Sequence, residues 1–105
     1  VAWVYLLIAG VLEIGFAFGL KFSEGFTRLW PTLGMAVSGA LSFYLLSVSL
    51  KTLPVGTAYA VWTGIGAAGT AILGILLLSE SGDVLRVLSI LLIVAGVVGL
   101  RVTSS

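Results

Sequence analysis

Apolar residues fill this chain in four long blocks, separated by short polar stretches at positions 21–28, 51–54 and 80–83. The first block is broken only by Glu13, the second and third carry no charge, and the fourth holds Arg86 near its start and ends at Arg101. A membrane-crossing helix needs about 20 predominantly apolar residues. The blocks therefore predict four transmembrane helices, over residues 2–20, 29–50, 54–79 and 84–101. The last is short, but the long stems of Arg86 and Arg101 let their charges reach the headgroup layer. The connectors KFSEGFTR, KTLP and ESGD have the glycine, proline and polar content of turns. Pro54 stands where a helix begins, the position at which its missing N–H costs least. The expected architecture is an all-α membrane protein, a single four-helix domain over residues 1–105 with no room for a separate folded head. The first block does not read as a cleavable signal peptide, because no basic stretch precedes it and a carboxyl group sits in mid-span.

Composition narrows the chemistry. Of the 105 residues, 60% are apolar and 9% charged, with no cysteine and no histidine, whereas a soluble domain carries about a quarter charged residues. The missing residue types argue against zinc sites, cysteine or Ser-His nucleophiles, attached haem and disulfides, so neither an enzyme nor a metal or cofactor protein is expected. No basic stripe is present to neutralise phosphates, which argues against a nucleic-acid partner. Lysine and arginine in short loops usually fix orientation. With four spans, Lys51 and Arg101 fall on the N-terminal side and Lys21, Arg28 and Arg86 on the other, a bias too small to impose one orientation.

Small residues mark the helix contacts, since lipid supplies no hydrophobic drive between membrane helices. Gly64 and Gly66 in the third block admit two readings, close packing or a hinge that bends the helix during a conformational change. Gly96 and Gly99 in the fourth suit packing against another protomer, and four thin helices bury so little on their own that an oligomer is expected.

Glu13 decides the function. A charge in mid-bilayer costs about 3 kcal/mol on insertion scales and is kept mainly for handling ions or substrates. At a rise of about 1.5 Å per residue, Glu13 lies about 16 Å below the N-terminal face, Ser42 and Trp62 about 12 Å and Tyr59 about 8 Å. Ser42 offers a hydroxyl to the carboxylate. Trp62 lies well below the interface where aromatic residues usually anchor. A carboxylate flanked by aromatic faces attracts a cation by charge pairing and cation–π contact together. One carboxylate that binds either a proton or an organic cation, opening to one side at a time, lets an inward proton gradient drive the cation out.

At these residues the chain resembles the small multidrug resistance family of four-helix proton-coupled exporters. The segments AGVLEIGFAFGLKFSEGFTRLWP, LSFYLLSVSLKTLPVGTAYAVWTGIGAAGT and LLIVAGVVGL carry the likeness. LPVGTAYAVWTGIGA is most similar to the guanidinium-exporter subtype, while KFSEGFTRLWP also resembles the quaternary-ammonium multidrug subtype. The resemblance implies Glu13 as the shared proton and substrate carboxylate, Ser42 as its hydrogen-bonding support, Tyr59 and Trp62 as aromatic walls, and Gly10 as a small residue lining the same cavity. It also implies an antiparallel, dual-topology dimer in a bacterial-type inner membrane, with both copies of Glu13 in one pocket and protons, small organic cations and lipids as partners. Where guanidinium exporters typically carry tryptophan one turn after the glutamate, this chain has Phe16, which has no indole N–H to donate to Glu13. The expected function is proton-coupled export of guanidinium and substituted guanidinium compounds. A broader quaternary-ammonium exporter and a non-transporting accessory subunit are the alternatives.

Overall fold

The computed structural model describes residues 1–103, which form four helices: α1 Ala2–Phe22, α2 Leu29–Ser49, α3 Val55–Leu78 and α4 Val84–Thr103. Each is long and apolar enough to cross a membrane, and a helix of about 21 residues spans about 31 Å, close to the hydrocarbon thickness.

The helix ends follow from local chemistry. Pro31 lies in the first turn of α2, where its missing N–H has no intrahelical partner to lose. Pro54 precedes α3 in an extended conformation and its carbonyl accepts the Ala58 N–H at 2.9 Å. Ser79 ends α3 in the left-handed region, φ 56°, and the Glu80 N–H then turns back to the Gly74 carbonyl at 3.2 Å. Asp83 caps α4 by accepting the Arg86 N–H on Oδ1 at 2.8 Å. Between α1 and α2 the chain runs through three successive left-handed residues, Glu24, Gly25 and Phe26. Buried Ser23 pins that turn, donating its hydroxyl to the Leu20 carbonyl at 2.7 Å and accepting the Phe26 N–H at 3.2 Å.

α1 packs between α2 and α3, and α4 packs on α3. The spatial order is therefore α2–α1–α3–α4, and the protomer is a slab of 43 × 34 × 17 Å. Its core gathers toward the N-terminal end of α1, where Leu6 and Ala9 meet Leu46 of α2 and Ala58, Val61 and Trp62 of α3. At the opposite end α1 and α3 are not sealed by such a core, and a cavity opens there. α4 is the least enclosed helix, with Ile90 its one buried residue among those described.

Candidate functional site

The cavity has a volume of about 610 Å³. α1 lines it with Glu13, Ala17, Phe18 and Lys21, and α3 with Tyr59, Trp62, Thr63, Gly66 and residues of the following two turns. Glu80 and Arg86, from the connection into α4, stand at its outer end. It thus runs from the middle of the bilayer to the face where α1 and α3 end.

Glu13 is seated on Gly66. A methyl group there would lie 2.5 Å from the Glu13 Cγ, so the bare backbone of α3 is what lets the Glu13 side chain pass this close. No side chain among the described residues donates a hydrogen bond to it. Above it, the Trp62 ring is tilted against Tyr59 and Phe43, with centroids 5.5 and 5.3 Å apart. Trp62 is 6% exposed, whereas Tyr59 is 57% exposed, so the indole forms an inner wall and the phenol an outer one. Thr63 adds a hydroxyl-bearing side chain. No group of three or more metal-ligating side chains occurs among the described residues.

Three expected site residues are placed differently. Ser42 is fully buried and takes no part in lining the cavity. Its hydroxyl donates to the Ala9 carbonyl at 2.7 Å and accepts the Trp62 Nε1–H at 2.9 Å. It holds the aromatic wall rather than the carboxylate. Gly10 is buried against Ile65, whose Cγ2 would lie 2.7 Å from an added methyl; its smallness serves the α1–α3 contact and not the cavity. Phe16 is turned to α2, where its ring covers Gly39 at 2.7 Å from the position of a Cβ. On a helix that packs against two neighbours, Glu13 and Phe16 diverge by about 60° and meet different ones.

The glycines expected to flex or to meet a partner also have definite surroundings. α3 runs unbroken through Gly64 and Gly66. The space beside Gly64 is taken by Val97 of α4, at 2.5 Å from an added methyl, as that beside Gly66 is by Glu13. Gly96 and Gly99 are exposed and face open space. Sequence reasoning missed Phe43, one residue after Ser42, and the ion pair at the cavity mouth, Arg86 Nη2 to Glu80 Oε1 at 2.6 Å. The signal for the second was present in the paired charges of SESGDVLR.

Comparison with known proteins agrees with this architecture. The Small Multidrug Resistance protein family matches residues 1–93. The guanidinium exporter of Yersinia pseudotuberculosis serotype I (strain IP32953) is 57% identical over 103 residues, covering 98% of this chain and 99% of its own. The guanidinium exporters of Salmonella typhimurium (strain LT2) and Citrobacter freundii are each 55% identical over 103 residues, covering 98% of both chains. With four membrane-spanning helices, a match over most of its length and relatives of this identity, the chain is a multi-pass inner-membrane transporter that belongs to the small multidrug resistance family.

Proposed function

We propose that this protein exports guanidinium and substituted guanidinium ions in exchange for protons, and that Glu13 is the group for which the two compete. The observation that carries this reading is a lone intramembrane carboxylate on the wall of a cavity that reaches one membrane face, beside a buried indole. A guanidinium ion is planar, with N–H donors around its edge and faces that water hydrates poorly. Its transfer to a drier site requires a charged acceptor and a surface for its flat face, which Glu13 and the Trp62–Tyr59 pair supply. When Glu13 carries a proton the cation has no counter-charge and leaves; when Glu13 is ionised the site is ready to load. Opening to one side at a time then couples the two fluxes. The names of the relatives favour guanidinium over quaternary ammonium ions as the substrate.

Within this reading Ser42 acts through Trp62, and Gly64 and Gly66 let α4 and Glu13 close on α3. We further infer an antiparallel homodimer. A slab 17 Å thick cannot enclose the cavity by itself, the open face of α4 at Gly96 and Gly99 offers a contact for a second copy, and the lysine and arginine distribution allows insertion both ways.

The test is transport by the full chain in liposomes. An imposed proton gradient should drive guanidinium accumulation on the more acidic side, with alkylguanidiniums as competitors. Failure of a proton gradient to move guanidinium, with tetraalkylammonium ions moved instead, would replace the substrate assignment.

A further inference from the structure

The Glu80–Arg86 pair lies on the wall of the same cavity as Glu13, and the side chain bound to that outer carboxylate is itself a guanidinium. Glu80 is held in place from behind. Its carboxylate rests on Gly74, where a methyl group would lie 2.5 Å from Oε1 and 3.1 Å from Oε2. Its own N–H is bonded to the Gly74 carbonyl at 3.2 Å, and Ser79 makes the reversal at φ 56°.

Yet the pairing is incomplete. Arg86 reaches Glu80 through one nitrogen and one oxygen, whereas a free guanidinium ion can present two parallel N–H groups to both carboxylate oxygens. No other donor to either oxygen occurs among the described residues. Both partners are accessible, with about a third of each side chain exposed, 35% for Arg86 and 39% for Glu80. Glu13 rests on Gly66 and Glu80 on Gly74, eight residues further along α3, so the two side chains meet that helix at points about 12 Å apart.

The geometry points to Glu80 as an outer station for the transported guanidinium group, occupied by Arg86 when no cation is present and surrendered to the cation on its way to or from Glu13. Arg86 is then an internal competitor. It satisfies Glu80 when no cation is present, and it weakens the station enough that the cation moves on. This rests on the guanidinium reading of the function.

Substitution of each partner separates a station from a structural tie between the α3 end and α4. Full-length protein in liposomes is assayed for proton-driven guanidinium flux over a range of concentrations. Glu80→Gln should raise KM about two- to fivefold, the range conferred by a partly exposed carboxylate–guanidinium pair. Arg86→Gln, which removes the internal competitor, should lower KM, and the double variant should follow Glu80→Gln; an unchanged KM in Arg86→Gln would mean that Arg86 does not compete. Gly74→Ala, which pushes the carboxylate off its seat, should raise KM as Glu80→Gln does. A rise of similar size in both Glu80→Gln and Arg86→Gln would mean that the pair is only a tie, and an unchanged KM in Glu80→Gln would mean that the cation does not stop there; either result overturns the proposal. Wild-type protein that moves no guanidinium would overturn the functional reading and the station with it, and is distinguished from both by the absence of flux before any substitution.

Discussion

Ser42→Ala removes the one acceptor of a buried indole N–H, and the structure says which residue should suffer. Ser42 Oγ accepts from Trp62 Nε1 at 2.9 Å and donates to the Ala9 carbonyl at 2.7 Å. The Ala9 carbonyl, in the middle of α1, keeps its helical partner, so the loss falls on Trp62. With Ser42 fully buried and Trp62 6% exposed, water cannot replace the hydroxyl. An orphaned buried donor costs about 1–3 kcal/mol, whereas side-chain hydrogen bonds between membrane helices average about 0.6 and reach about 1.7 kcal/mol. The burial places this bond toward the upper end of the second range, about 1.5 kcal/mol. If the same loosening is felt by a cation stacked on the indole, guanidinium affinity falls by about tenfold.

A double-mutant cycle measures it. Trp62→Phe removes the donor, so Ser42→Ala should cost almost nothing further in that background, giving a coupling of about 1–1.5 kcal/mol in equilibrium unfolding. The cycle between Ser42→Ala and Glu13→Gln should give a coupling near zero. Additive costs for Ser42 and Trp62, together with strong coupling of Ser42 to Glu13, would refute the assignment and restore the hydroxyl to the carboxylate.

Gly64→Ala gains about 1 kcal/mol of helix propensity but drives a methyl into Val97, a clash worth about 1–3 kcal/mol. The double variant Gly64→Ala with Val97→Ala should regain transport; persistent loss in the double variant would instead favour a hinge at Gly64. Gly66→Ala should displace Glu13 and reduce guanidinium flux at least tenfold while the protein still assembles, measured by flux in liposomes and by cross-linking. A cysteine replacing Thr103 should be labelled by a membrane-impermeant reagent from both sides of the membrane, since the charge bias is too small to fix one orientation; labelling from one side alone would point to a paired partner chain.

The four helices were legible because apolar blocks of membrane-spanning length leave little alternative in lipid, where every backbone group must be bonded within its own segment. Glu13 was legible for a related reason: a carboxyl in mid-span is too costly to be incidental. Trp62 could be placed near it by depth alone. Rotation about the helix axis was not legible, because it depends on which neighbour each face of α1 meets. That is why Phe16 turned out to cover Gly39, and why Ser42, at the right depth, proved to be spoken for by Trp62 and Ala9. Gly10, expected on the cavity wall, instead packs against Ile65. The seat of Glu80 on Gly74 depends on a single left-handed residue, Ser79, which no hydrophobic pattern reveals.

The central claim is that one carboxyl group, Glu13, holds either a proton or the cation. Adding guanidinium to the detergent-solubilised protein in weak buffer, and recording proton release, tests it without any contribution from membrane leak. Release that saturates with guanidinium in the wild type, and its absence in folded Glu13→Gln protein, is the predicted result. Saturable guanidinium binding with no proton released by the wild type, or release of equal size from Glu13→Gln, would contradict it.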